Sequence, residues 1–262
     1  MNGTSGSERV DWKEWSRRWD AQQTYLVVRR EERFRVMLDV AEQVLGRQPS
    51  TILDLACGTG DVARRALERF PNARVVGVDA DPLLLAIAEG SLGTANGRAR
   101  WVRADLRQPD WTDNLRASGC FDLVLSSTAL HWLPTTALVS VYRALHQLVA
   151  AGGMVLNADV IPPTSAGKLA EAADQLRTRA AREAQSATNG ERYAEWWDAI
   201  AREPGLAELC EQRARVFEDH PDDLELPTAD LHVQALRDAG FSEAAVMWRF
   251  FDYGVVAAVK AG

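Results

Sequence analysis

Three acids, two glycines and a histidine fall where their types could do chemistry together. The run Leu53-Asp54-Leu55-Ala56-Cys57-Gly58-Thr59-Gly60-Asp61 carries a strand-like apolar segment into a glycine-rich turn and then a helix. Gly58 and Gly60 tolerate positive φ and let a ligand approach the backbone closely; a tight turn with nothing bound is the bland alternative. Asp54, inside the strand end, suits either a ligand's cationic end or the holding of the loop. Asp79, in Val78-Asp79-Ala80-Asp81-Pro82, stands nineteen residues after Gly60. That is near the ~20-residue spacing at which a strand-end acid takes ribose hydroxyls. Asp81 before Pro82 reads instead as an N-cap with proline in the first helical turn. Asp105, just past another strand end, suits an acceptor for an adenine amine with Leu106 against the ring, although an acid there also serves as a plain cap. His131 is the one histidine near these motifs and the candidate general base; ligand contact and a structural role are its alternatives.

The elements that must position these residues follow from periodicity. Trp12, Trp15 and Trp19 share one face of a first helix, and Phe34, Met37, Leu38, Ala41 and Leu45 mark a second that stops at Gly46. From Thr51 short apolar strands alternate with helices: strands at 51–56, 74–79, 100–103, 121–126 and 153–159, helices at 61–70, 82–89 and 135–149. Such alternation means βαβ units and a parallel sheet covered on both faces, with ligands at the carboxyl ends of the strands. After Pro162-Pro163 the pattern turns helical through 218, with a break at Asn189-Gly190, too long for a plain connection. Residues 220–227 read as a linker, 230–239 as a helix, and 244–251 with 255–260 as a hairpin around Asp252-Tyr253-Gly254.

Composition narrows the function classes. The chain has 262 residues, 47% hydrophobic and 26% charged, as globular proteins do. A net charge of −7 disfavours nucleic acid or an anionic membrane as partner. No apolar run approaches the roughly 18 residues needed to span a bilayer, and residues 1–10 lack a signal-peptide core, so the expected location is cytoplasmic. Cys57, Cys120 and Cys210 are too few and scattered for a disulfide framework or zinc site, and His220 lacks a second ligand at helical spacing, so no metal is expected.

With these motifs in order, the chain resembles the class I S-adenosylmethionine (SAM)-dependent methyltransferases. The matching segments are 53–60, Gly77-Val78-Asp79-Ala80-Asp81, Ala104-Asp105-Leu106, Phe121 to Ser126 and the run Leu145 to Leu156 with Gly152-Gly153. Ala56 stands where the family's loop usually has its first glycine. The segment Ser127 to Leu133 is similar to small-acid methyltransferases acting on trans-aconitate or malonyl-carrier protein. The resemblance implies an α/β Rossmann-like three-layer sandwich with a seven-stranded, mostly parallel sheet. Its parts would be an N-terminal helical lid (1–50), the SAM-binding core (51–160), a helical cap (161–227), and a helix and hairpin completing the sheet (228–262). It also implies SAM as donor, S-adenosylhomocysteine (SAH) as product, and methyl transfer to O, N or C of a small molecule.

Family roles carry over by position. The backbone of Ala56, Gly58 and Gly60 would line the methionine and ribose part, and Asp54 would orient the loop near the ammonium group. Asp79 would take the ribose hydroxyls beside Ala80, Asp105 and Leu106 the adenine, and the Ser126 carbonyl the ammonium. His131, Trp132, Trp19, Tyr25 and Trp197 would contact the acceptor, with ordinary core packing as the alternative for the aromatics. Arg29-Arg30 and Arg177, Arg179 and Arg182 invite a carboxylate clamp or a solvated helix face. Non-methylating chemistry such as SAM cyclisation stays open. So does a nicotinamide-dependent oxidoreductase, since 58–63 fits G-x-G-x-x-A, although Asp54 sits badly beside a pyrophosphate. The state, monomer or homodimer, is open.

Overall fold

The computed structural model describes residues 10–162, 167–188, 190–219 and 224–262; the expectations for residues 1–9, Pro163, Asn189 and His220 lie outside them. Two helices lead: α1 (Trp12–Leu26), whose N-cap Asp11 accepts from the Glu14 N–H, and α2 (Arg30–Leu45), closed by Gly46 at φ 61°. The alternating units follow as β1 (Thr51–Leu55), α3 (Asp61–Arg69), β2 (Arg74–Asp79), α4 (Pro82–Leu92), β3 (Ala99–Arg103), β4 (Phe121–Ser127), α5 (Thr135–Leu148) and β5 (Val149–Val160). Then come α6 (Lys168–Thr188), α7 (Tyr193–Ala201), α8 (Ala207–Val216), α9 (Ala229–Asp238), β6 (Glu243–Phe250) and β7 (Tyr253–Val259).

The seven strands lie in the order β3-β2-β1-β4-β5-β7-β6, parallel except for β7, which runs antiparallel to both neighbours. The order reverses between β1 and β4, and a ligand crevice forms at the carboxyl ends beside such a reversal. The registers Asp54↔Leu125, Asp79↔Arg103 and Ser126↔Asn157 bring the ends of five strands onto one rim.

Strand residues alternate between two cores because the side-chain period is two. Leu53, Leu55, Val76 and Val78 pack with Leu138, Tyr142 and Leu145 of α5 and Leu236 of α9. Ile52, Leu123, Leu125 and Met154 pack with Phe34, Met37 and Ala41 of α2 and Ala63 and Ala66 of α3. Thus α2 lies on a sheet face, whereas α1 joins a third cluster: Trp15 with Leu83 and Ile87 of α4 and Trp196 and Ile200 of α7.

Several element ends differ from expectation by one to three residues, and three local features were not read from the chain. The segment before β4 forms a 3-10 turn at Asp113–Ser118, anchored by buried Leu115. β5 begins at Val149 because Val149 pairs with Phe121 across an irregularity. The hairpin turns at Phe251-Asp252, not at 252–254, since Tyr253 and Gly254 already pair with Phe250 and Arg249.

Candidate active site

The glycine loop is held by the acids around it. Ala56, Gly58 and Gly60 take φ of 55°, 53° and 80°. Gly60 is the N-cap of α3 and has no side chain to cap with. Asp54 supplies that function from inside β1: its Oδ2 accepts from the Ala63 N–H at 2.8 Å, satisfying a donor that helix geometry leaves orphaned. Burial, with Asp79 and Asp61 nearby, pushes the Asp54 carboxyl up to about 8 despite that bond, and its buried Oδ1 has no partner among the described residues.

Asp79 ends β2 with its carboxylate on the loop, accepting from Gly58 N–H at 2.6 Å and Asp81 N–H at 2.8 Å. Burial pushes it up to about 6 against those bonds. Ala80 follows, half-buried. Asp81 is the N-cap of α4, bonding Leu83 and Leu84 N–H, and its other oxygen meets Arg213 of α8 at 2.7 Å. Asp105 closes a turn onto Arg107 N–H and receives that residue's guanidinium at 2.8 Å. Leu106 is placed in the core with Leu55, Val78 and Trp111.

Across the reversal from the loop, a 3-10 turn at Leu130–Trp132 carries His131. Its Nδ1 lies 2.5 Å from Asp159 Oδ1, and its backbone N–H donates to Asp159 Oδ2 at 3.1 Å. Asp159, fully buried near the end of β5, thereby fixes both the ring and its backbone. Burial opposes a charge on His131, but Asp159 outweighs it and raises the imidazole above its ordinary value; the Arg33 guanidinium pulls the other way. Burial opposes charge on Asp159 too, and His131 reverses that, holding the carboxyl below the usual range. A histidine whose Nδ1 is held by a carboxylate presents Nε2 for proton transfer. Trp132 follows with its ring 5.0 Å from that of His131, 56% exposed. Ser126 lies on the same rim, its buried Oγ without a partner among the described residues.

α1 crosses the carboxyl edge. Its Trp12 ring lies on Gly90 of α4, where an added Cβ would meet it at 2.2 Å. Asp20 bonds Arg30, Arg64 and Arg65, and Arg30 also reaches Asp61 at 2.5 Å, so the helix is tied to α2 and to α3, the helix that follows the loop. Trp19 packs against Trp196 and Trp197 at 4.8 and 5.9 Å, which joins α1 to α7. Arg213 lies over Trp197 at 4.0 Å. Tyr25 is buried, its hydroxyl without a hydrogen-bond partner among the described residues. The structure thus brings Trp19 and Trp197 together with each other, and His131 together with Trp132. Of the arginines considered, Arg30 and Arg177 are paired inside the fold, and Arg179 faces Glu183 on an exposed surface.

Two residues escaped the sequence. Asp159 offered a signal, an acid ending an apolar strand as Asp79 does. Arg33 offered a subtler one: it stands at i−4 and i−8 from Met37 and Ala41, a charge on an apolar stripe.

A switch-point crevice with a glycine loop, a strand-end acid after β2 and a histidine–carboxylate pair after β4 defines the core of a class I methyltransferase fold. Residues 52–153 match the family model described as a methyltransferase domain. The chain is 38% identical over 108 residues to trans-aconitate 2-methyltransferase of Streptomyces avermitilis, covering 40% of this chain and 38% of that protein. It is 31% identical over 124 residues to malonyl-[acyl-carrier protein] O-methyltransferase of Legionella pneumophila, covering 47% and 40%. The matches therefore span only about 40% of each relative. SAM-bound CalS10, an amino pentose methyltransferase from Micromonospora echinaspora, shares the fold with a TM-score of 0.58 at 16% identity, over 93% of this chain and 96% of that one. Over this core, the chain is similar to SAM-dependent methyltransferases.

Proposed function

We propose that the protein transfers a methyl group from SAM to a small-molecule acceptor, with His131 as general base and Asp159 as its positioning residue. The observation that carries this is the His131–Asp159 pair, set on the same rim as the glycine loop and Asp79. The residues fit the donor. At Gly58 an added Cβ would meet nothing nearer than Leu84 at 3.9 Å, so the loop's face is open. Buried Asp54 Oδ1, Thr59 Oγ1 and Ser126 Oγ lack partners among the described residues, and buried polar groups of that kind call for one.

SAM supplies an electrophilic methyl on a sulfonium. Ala56, Gly58 and Gly60 offer backbone to its amino-acid and ribose part; Asp54 and the Ser126 carbonyl face the ammonium; Asp79 takes the ribose hydroxyls. Ala80, Asp105 and Leu106 border the adenine, Asp105 sharing its carboxylate with Arg107. Trp132 flanks the acceptor beside His131, and Trp19, Tyr25 and Trp197 form the lid-to-cap wall. In-line displacement asks the protein mainly to align the acceptor and exclude water. His131 Nε2 receives the proton that an O–H or N–H acceptor must lose. No helix among the described residues is long and apolar enough to cross a membrane. Three free cysteines, Cys120 exposed, suit the reducing cytoplasm.

His131→Ala and Asp159→Asn are expected to keep SAH affinity while slowing transfer of labelled methyl by about 10²- to 10⁴-fold. Normal transfer in both would remove the base. Consumption of SAM without any methylated acceptor would support cyclisation instead.

A further inference from the structure

Arg33 is the anomaly of the interior. It is fully buried, and among the described residues neither Nε nor Nη1 has a hydrogen-bond partner, while Nη2 reaches only Ser127 Oγ, at 3.5 Å. Burial lowers its pKa to about 10, so it stays charged near neutrality. The other guanidiniums around the site are spoken for: Arg30 by Asp20 and Asp61, Arg177 by Asp252, Arg213 by Asp81. The nearby Asp159 charge favours the guanidinium, but among the described residues its oxygens accept from other donors: Oδ1 serves His131 Nδ1 and Val160 N–H, and Oδ2 serves His131 N–H. A buried, unpaired guanidinium is costly unless it has an anion to meet.

Its position says which compartment it serves. Ser127 ends β4, just before the turn that carries His131. The Arg33 charge acts on both Asp159 and His131. The Tyr253 ring lies 4.9 Å from its guanidinium, and Tyr253 Oη donates to the Leu26 carbonyl at the end of α1. Arg33 therefore lies near the C-terminal end of α1 and beside the turn that carries the dyad's histidine.

We propose that Arg33 receives a carboxylate of the acceptor, so that the substrate is a small acid whose methylated atom is a separate hydroxyl or amine presented to His131. This rests on the methyltransferase reading above. A guanidinium fits a carboxylate through paired N–H donors. A carboxylate that was itself methylated would arrive without a proton and leave the dyad idle. In the step so defined, the acceptor's O–H or N–H proton passes to His131 Nε2. The lone pair forms the bond to the methyl carbon, and the carbon–sulfur bond breaks with its pair staying on sulfur, releasing SAH.

Calorimetry on the full chain saturated with SAH tests this with matched probes: 2-, 3- and 4-hydroxybenzoate, 3-hydroxybutyrate, and the primary amide of each. At least one acid is expected to bind about tenfold or more tighter than its amide, a gap of about 1.4 kcal/mol. Arg33→Gln and Arg33→Met are expected to abolish that gap and keep SAH affinity. Arg33→Lys, which keeps the charge but not the fork, should retain part of it. No acid preferred over its amide, or a preference surviving in both neutral variants, would overturn the assignment. Failure of SAH itself to bind would overturn the methyltransferase reading on which it rests.

Discussion

Ala56 holds a left-handed backbone that costs an L-residue with a Cβ about 1–2 kcal/mol. Ala56→Gly should therefore stabilise the protein by about 1 kcal/mol, once the looser unfolded chain is counted. In a melting experiment that is a rise of about 2–4 °C; a lower midpoint would mean that the methyl is packed usefully. Asp54 and Asp79 make binding pH-dependent. Both carboxyls are raised by burial, to about 8 and about 6. A raised acid contributes stability that is full below its unfolded value and lost as pH rises through the folded one. The unliganded protein should thus weaken from about pH 4 upward, through both groups to about pH 6 and through Asp54 alone to about pH 8. A bound ammonium reverses the preference by favouring ionised Asp54. SAH affinity should climb with pH over that range by up to about tenfold per unit. Asp54→Asn, which keeps an oxygen for Ala63 N–H, should flatten both slopes, and calorimetry across the range would show it.

Among elements, α1 is the one proposed to cover the site. Trp12 seats on Gly90 because that position of α4 has no Cβ. Gly90→Val should drive the indole off, costing about 1–3 kcal/mol, as overpacking does, and should weaken SAH binding by loosening the covering helix. An unchanged melting point and SAH affinity would show that α1 is not held there. The elements themselves were largely legible in the chain. β2 runs over the expected residues, and β1, β3 and β4 differ by single residues at an end, because a buried parallel strand bounded by turn residues is a local signal. The start of β5 was hidden because Val149 joins by pairing with distant Phe121. The hairpin turn was displaced because Asp252 and Gly254 both favour turns, and only the ladder chooses between them.

At the scale of the whole molecule, the sheet order gathers residues that no local pattern joins. The glycine loop and the Asp81 cap were readable since each motif is contiguous: Gly58 and Gly60 take positive φ, and Asp81 accepts from Leu83 and Leu84 N–H. The His131–Asp159 pair links residues 28 apart, and Arg33 reaches Ser127 from 94 residues away. Those meetings depend on strand order and helix docking, so the histidine was visible as a candidate while its carboxylate partner and neighbouring cation were not. Trp19 and Trp197 show the reverse case: their rings were visible, but their packing on each other through α1 and α7 was not. The most direct test of donor binding is a thermal-shift titration of the intact chain with SAH, SAM, NADH and NADPH. A ligand that binds only the native state raises the midpoint by mass action. A rise with SAH and SAM and none with the nicotinamides is expected; a rise with a nicotinamide alone would make the glycine loop a dinucleotide site and contradict methyl transfer.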